Sequence, residues 1–152
     1  MGKLACLMLV LGVILAAFRP AAARNDKLLL PIAAALESKE ARSKIDGSVQ
    51  FVFGRQEKDL QAVKHSRTRL ITGKAHISSD SIAGAVGHEA FRSAVIQMQR
   101  RAKPPGANAA VNIVSAYKNN PELSNPVRFE CHQGTYTAAV ALRGDFVKLD
   151  NP

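Results

Sequence analysis

The chain has 152 residues, of which 47% are hydrophobic and 22% are charged. This length accommodates one compact domain with one core, and the composition is that of an ordinary globular protein, which excludes two independent cores. Twenty-one basic residues against 12 acidic ones give a net charge of +9. Such a charge predicts non-specific attraction to anionic lipid, polysaccharide or nucleic acid, but it does not define a function.

The first 23 residues follow the plan of an export signal. Lys3 supplies a basic start, residues 4–18 form an apolar run without charge, and residues 21–23 are three alanines. The run is shorter than the ~20 residues that a helix needs to span a bilayer. We therefore predict cleavage before Arg24, export to the periplasm or the extracellular space, and no transmembrane segment after cleavage. An uncleaved membrane anchor is the alternative.

Cleavage at this point determines the cysteine chemistry of the mature chain. Cys6 lies within the predicted signal and precedes most of its apolar run, which argues against a lipoprotein cleavage site. Cys131 is then the one cysteine left, so that any disulfide must join two chains. The mature chain keeps 19 basic and 12 acidic residues, a net charge of +7.

The mature chain opens with a predicted helix from Pro31 to about Ile45. Proline is a favourable first helical residue, and Gly47 follows the expected end. The apolar face of this helix comprises Ile32, Ala35 and Leu36.

A strand is predicted next, over residues 49–53, where apolar and polar side chains alternate. The following stretch, residues 55–74, is dense in charge. We interpret it as a solvated connection, because runs of charge normally face water. The alternative is a weak strand around residues 68–77.

The strongest helical pattern lies between Asp80 and Lys103. Asp80 or Ser81 can cap its first turn, but Gly84 and Gly87 weaken that turn, so regular helix is expected from about His88. Its apolar stripe is expected in the core and comprises Phe91, Ala94, Val95, Met98 and Ala102.

The same helix carries a basic cluster that is a candidate polyanion contact. Its members are Arg92, Arg100, Arg101 and Lys103. The negative end of the helix dipole is by itself sufficient reason for bases in the last turns. Aromatic residues that would stack on bases are sparse, so we predict no specific nucleic-acid binding. Weak contact with anionic envelope surfaces is the favoured interpretation.

A turn and a strand follow the helix. Prolines at positions 104 and 105 stop the helix, and we interpret Gly106 and Asn108 as a structural turn in which the Asn108 side chain bonds the turn backbone. From Ala109 onward, one face carries Ala109, Val111, Ile113 and Tyr117, which predicts a strand with one buried face. The alternative is an exposed edge near Asn112 that pairs between subunits of a homo-oligomer.

Two further strands are predicted at the end of the chain, around residues 127–132 and 136–149. In the first, Phe129 and Cys131 alternate with Glu130 and His132. We expect the last three strands to be consecutive and antiparallel. The predicted fold is α+β, a two-layer sandwich with a mainly antiparallel sheet and two helices on one face, in a single domain over residues 24–152.

The turn at residues 106–109 and the ending of the chain, residues 144–149, resemble the YbjQ-type small domains. A group of small exported bacterial proteins is similar over almost the whole mature chain, at "LPIAAAL", "GANAAVNIVSAYKNN", "FECHQG" and "VALRGDFVKL". The resemblance implies an oligomeric α+β domain described as a heavy-metal binder. It also implies a second cysteine in relatives, near the position of Gly87.

Some of these relatives carry the label "excinuclease ATPase subunit", which the sequence does not support. A phosphate-binding loop needs glycine five residues before the Gly-Lys pair and a hydroxyl residue after it. Here Thr68 and Ala75 stand at those two positions, around Gly73 and Lys74.

A metal site is the runner-up hypothesis, with Glu130, Cys131 and His132 as its candidate ligands. Neighbouring strand residues point to opposite faces, so Cys131 joins the other two only through a bulge. Burial in the core is the favoured interpretation for Cys131, and a solvated or ion-paired side chain for His132.

Catalytic motifs are missing from the sequence. A zinc-protease helix would need histidine where Arg92 stands, and neither a G-x-S-x-G nor a G-x-G-x-x-G pattern occurs. We therefore predict a protein that is not an enzyme and has no cofactor: a structural or interaction module of the bacterial envelope.

Overall fold

A computed structural model describes residues 24–55, 67–78, 81–82, 84–104, 106–118 and 120–150. The predicted signal, Asp80 and residues 56–66 of the charged stretch lie outside these ranges. Across the described residues the chain forms six strands and three helices in an α+β arrangement. In chain order they are β1 Asp26–Pro31, α1 Ile32–Leu36, α2 Lys39–Lys44, β2 Gln50–Phe53, β3 Arg67–His76, α3 Ala85–Ala102, β4 Ala109–Ser115, β5 Arg128–Gln133 and β6 Thr137–Val147.

The six strands form one mixed, curled sheet in the order β1-β5-β6-β4-β2, with β3 paired to β6 outside this path. The pairing of β2 with β4 is parallel, and the other pairings are antiparallel. The predicted α+β class is therefore confirmed, and the sheet is mixed.

Strand β6 is the centre of the sheet. Its eleven residues pair with β3 along ten positions, with β5 at the beginning and with β4 towards the end. Because β3 occupies one edge of β6 throughout, β5 and β4 share the other edge in succession. The expectation of three consecutive neighbouring strands is wrong for β4 and β5, which are both partners of β6.

The first segment differs from the predicted single helix. Residues before Pro31 form β1, whose register with β5 runs from Asp26 opposite Gln133 to Pro31 opposite Arg128. Helix α1 ends at Leu36, with Glu37 as its C-cap, and Ser38 then caps α2 by accepting a hydrogen bond from the Ala41 amide at 3.1 Å. Pairing with the distant strand β5 determines the structure of residues 26–31, and the local helical pattern gives no indication of that pairing.

The charged stretch also differs from its favoured interpretation, because residues 67–76 are the strand β3. Ile71, Gly73 and Ala75 are buried while the residues between them are exposed. A Cβ on Gly73 would overlap the carbonyl oxygen of Ala90, so glycine allows α3 to lie directly on the strand. The polar half of this alternation faces water, which is why the sequence resembles a solvated connection.

Helix α3 supplies the largest part of the core. Its predicted stripe is fully buried, which confirms the sequence prediction, and the Phe91 ring stacks on Phe129 of β5 with centroids 4.1 Å apart. The helix begins at Ala85, and its N-cap is Gly84, whose φ of 92° suits glycine. Ser81 does not cap it.

Gln99 of α3 is buried, although it lies outside the predicted apolar stripe. Its amide nitrogen donates to the Lys44 carbonyl and its amide oxygen accepts from the Asp46 backbone, both at 3.1 Å. A buried amide is retained here because the end of α2 supplies both of its hydrogen-bond partners.

Strand β4 is buried on both faces, contrary to the predicted single buried face. Asn112 has a φ of 52°, and the register with β6 shifts between Val111 and Val114. This bulge places Ala110 and Ile113 in the main core, whereas Ala109 and Val111 join a second cluster with Val147 and Leu149. Since β2 and β6 flank β4, this strand is not an exposed edge of the sheet, and the homo-oligomer stays a prediction.

The turn after α3 forms as expected around Gly106, with one difference at Asn108. The amides of Gly106 and Ala107 donate to the carbonyls of Lys103 and Ala102, and the φ of Gly106 is 75°, which together make a Schellman motif. The Asn108 side chain does not bond the turn. It makes two hydrogen bonds with the backbone of Leu149, at 2.7 and 2.8 Å, and so fastens the end of the chain.

Candidate functional site

The three candidate metal ligands lie on two faces of β5. Cys131 is fully buried on the face that packs against α3, while Glu130 and His132 lie on the opposite face. The structure therefore brings Glu130 and His132 together and separates Cys131 from them. The favoured interpretation of Cys131 as a core residue agrees with this position.

Burial dominates the chemistry of the Cys131 thiol. It raises the pKa of Cys131 to about 11, against a smaller opposite effect of the hydrogen bond with Ala139. The thiol is therefore neutral at physiological pH and a poor nucleophile. A Cβ on Gly87 would lie 3.1 Å from the Cys131 sulfur, so this glycine keeps α3 close to the strand.

Glu130 and His132 belong to a buried polar cluster that continues onto β1. The Glu130 side chain is 1% exposed, and its two oxygens contact His132 Nε2 and Lys27 Nζ, each at 2.6 Å. Lys27 lies directly opposite His132 in the register of β1 and β5. His132 therefore contacts the Glu130 carboxylate through Nε2, and its side chain is buried and not solvated.

The loop after β4 closes this cluster. The Tyr117 ring stacks on the His132 imidazole with centroids 3.7 Å apart and planes 9° apart, and the Lys118 ammonium lies 5.3 Å from the centroid of the Tyr117 ring. Asn25 Oδ1 lies 3.1 Å from His132 Nδ1. The cluster thus joins three separate segments of the chain over the outer face of the sheet.

Two opposed effects determine the ionisation of Glu130. Burial acts to raise the pKa of Glu130, but the hydrogen bonds from Lys27 and His132 outweigh it and hold the pKa below its ordinary value of 4.5. Glu130 is therefore ionised at neutral pH. Because its two oxygens already contact Lys27 and His132, the cluster is a set of internal contacts rather than an open ligand site.

A separate cleft of about 830 Å³ lies where α2, α3 and β3 meet. Four cations line it: Lys44 from α2, Lys74 from β3, and Arg92 and Arg100 from α3. Among the described residues no ion pair within 4.0 Å joins any of these four to an acid. The cleft therefore presents positive charge to solvent and is suited to anionic groups. We call it the basic cleft.

The structure divides the four predicted polyanion contacts into two pairs. Arg92 and Arg100 line the basic cleft, whereas Arg101 and Lys103 do not. Lys103 forms an ion pair with Asp46 at 2.6 Å, and this contact, with hydrogen bonds from Ser48, lowers the pKa of the Asp46 carboxyl. Arg101 is exposed beside the cleft and offers a matched comparison for Arg100.

The walls of the basic cleft are held in place by hydrogen bonds between elements. Gln97 of α3 donates to the Thr72 carbonyl of β3 at 3.1 Å, which fixes the helix on the outer edge of that strand. Gln99 fixes the end of α2 to the same helix, as described above. The packing of α2, α3 and β3 against one another therefore forms the basic cleft.

Sequence reasoning missed Lys44 and Lys74 as members of one site. They lie 30 residues apart in the chain, and the packing of α2 and β3 on α3 brings them together. Lys27 and Tyr117 were missed for the same reason. The sequence indicates that Lys27 belongs to this cluster only after β1 is recognised as a strand that pairs with β5.

Two negative findings apply to the described part of the chain. No group of three or more His, Cys, Asp or Glu side chains converges there as a metal site would require. No helix among those residues is long and apolar enough to cross a membrane.

Comparison of the chain with protein-family models, with curated proteins and with solved structures finds no match. The resemblance to YbjQ-type domains therefore stays a prediction from short motifs.

Proposed function

We propose that this protein is an exported, non-catalytic interaction module of the bacterial envelope that binds anionic groups in the basic cleft. The observation that carries the proposal is the convergence of Lys44, Lys74, Arg92 and Arg100, none of which forms an ion pair within 4.0 Å with an acid of the described residues. Unpaired cations at the rim of a concave surface attract anions through water at modest affinity, and salt screens the attraction. The net charge of +7 on the mature chain acts in the same direction.

We also propose a two-layer arrangement, in which the helices lie on one face of the curled sheet. The chain is, on this proposal, related to the YbjQ-type domains. The support for the two-layer arrangement is that Ile32 and Ala35 of α1 share one core cluster with the α3 stripe. Helices that bury side chains in one cluster leave their outer surfaces on the same side, where the basic cleft lies.

The test is binding of the mature chain to vesicles of phosphatidylglycerol, compared with vesicles of phosphatidylcholine, at low and high salt. A basic residue near an anionic surface contributes about 1 kcal/mol, so that Arg100→Ala is expected to weaken binding about fivefold. Binding to phosphatidylglycerol should fall as salt rises.

Arg101→Ala is the matched control, because it removes the same charge from the next position of α3 but outside the cleft. An equal loss in both variants would show that net charge, and not the basic cleft, attracts the vesicles. Binding that is insensitive to salt would also contradict the proposal.

The runner-up function, metal binding, has less support from the geometry. Glu130 and His132 lie together, but each already contacts another side chain, and Cys131 faces the core. A metal that co-purifies with the mature chain and is lost in His132→Ala would promote this function over the first.

A further inference from the structure

The basic cleft also contains two acids, and they bear on which anion it accepts. Glu40 of α2 and Glu89 of α3 line the cleft together with the four cations. Neither forms an ion pair within 4.0 Å with those cations. A hydrogen bond from its own backbone amide is the main cause that lowers the pKa of Glu40, and Ser38 and Arg92 add to it, so Glu40 is an ionised acceptor at neutral pH.

Carboxylates disfavour a ligand that is negative along its whole length, because like charges repel at close range. They favour a ligand that presents hydroxyl groups beside its negative charge, since an ionised carboxylate accepts hydrogen bonds from hydroxyls strongly. Ser93, also in the lining, adds a hydroxyl that can donate or accept.

The spacing along α3 supplies a second constraint. Arg92 and Arg100 are eight residues apart on one helix, which corresponds to about 12 Å along its axis. Half-buried Ile96 lies midway between them in the lining. Cations therefore stand on either side of Ile96, and the volume of about 830 Å³ lies within the range of small-ligand sites.

We propose that the basic cleft recognises a phosphorylated sugar or polyol, whose phosphate contacts cations of the cleft while its hydroxyls donate to Glu40 and Glu89. This inference rests on the proposed function and specifies its ligand class. The same chemistry occurs in a free sugar phosphate and in the polyol-phosphate headgroup of a lipid.

The first arm of the test titrates the mature chain with inorganic phosphate and with glucose 1-phosphate, followed by NMR. We expect glucose 1-phosphate to bind at least about threefold more tightly, because the carboxylates contact its hydroxyls. In Glu40→Gln and Glu89→Gln, affinity for inorganic phosphate should rise, because repulsion is removed, while affinity for glucose 1-phosphate should fall. Glu37→Gln, an exposed acid outside the cleft, is the control.

The second arm compares vesicles of phosphatidylglycerol with vesicles of phosphatidic acid, which carries phosphate without the polyol. A preference for the polyol phosphate in this arm alone, lost in Glu89→Gln, would support the inference and identify a lipid headgroup as the source. A preference in the first arm would support it and identify a free ligand.

Failures of the two proposals are distinguishable. If the glutamine variants strengthen binding of every probe equally, the acids only repel and the sugar-phosphate inference is overturned, while the anion-binding function stands. If no probe binds, or Arg100→Ala binds every probe as tightly as the unmodified chain does, both proposals are overturned. Circular dichroism of each variant checks the fold, and the substituted acids are exposed.

Discussion

At the scale of single residues, Glu130 is the one buried carboxylate among the described residues. A carboxylate that is 1% exposed is costly to bury, and its contacts with Lys27 and His132 offset that cost. Lys27 is half exposed, so water screens its side of the pair. The stacked Tyr117 closes the other side over His132.

Replacement of Glu130 by glutamine is expected to lower the free energy of unfolding by about 1–3 kcal/mol at pH 7, because His132 loses its charged acceptor. The pKa of Glu130 is lowered in the folded state, so its contribution is complete above the ordinary value of 4.5 and is lost as pH falls through the folded value. The difference between the two proteins should therefore be constant from about pH 6 to 7 and shrink below about pH 4.5.

Urea unfolding at a series of pH values measures this difference. Glu37→Gln is the control, since Glu37 is exposed and should leave stability nearly unchanged at every pH. A difference that grows on acidification would contradict the ionised state of Glu130.

At the scale of elements, the contact of α3 with β3 depends on the absence of a side chain. Gly73 lies beneath Ala90 and Ala94, and a Cβ there would overlap backbone atoms of the helix that cannot rotate away. Helix and strand therefore approach more closely than any other residue at position 73 allows. The same contact sets one wall of the basic cleft, through Gln97 and Thr72.

Gly73→Ala is expected to lower the free energy of unfolding by about 1–3 kcal/mol, the usual cost of excess volume in a packed core. Thr72→Ala changes the neighbouring exposed position and should cost less than about 1 kcal/mol. Chemical denaturation of both variants makes the comparison. A Gly73→Ala protein as stable as the unmodified chain would show that α3 and β3 can separate without cost.

At the scale of the whole molecule, export and assembly are predictions that one mass measurement addresses. Native mass spectrometry of protein purified from the cell envelope, without reductant or chelator, should give a chain that starts at Arg24. Because Cys131 is fully buried, no disulfide-linked pair of chains is expected in the folded protein. A chain that keeps residues 1–23 would contradict cleavage, and a covalent dimer would contradict the burial of the thiol in solution.

The sequence predicted some parts of the fold and site better than others. The α3 stripe, the strand β2 and the last strand, β6, follow from periodicity and were confirmed. Tyr136, at the start of the predicted last strand, is 77% exposed, because it belongs to the turn before β6 and not to the strand. Arg92 and Arg100 were recognised as a candidate anion contact, and the packing alone added the two lysines.

Periodicity by itself determined which residues of the long helix and the last strand are buried, because local spacing fixes the side of an element on which a residue lies. Composition predicted a single domain with a basic surface. The tertiary structure alone decided that residues 26–31 form a strand, that β4 contains a bulge at Asn112, and that Lys27 forms an ion pair with Glu130. Each of these depends on a partner distant in the chain, whose contact energy exceeds the weak local preference of the segment.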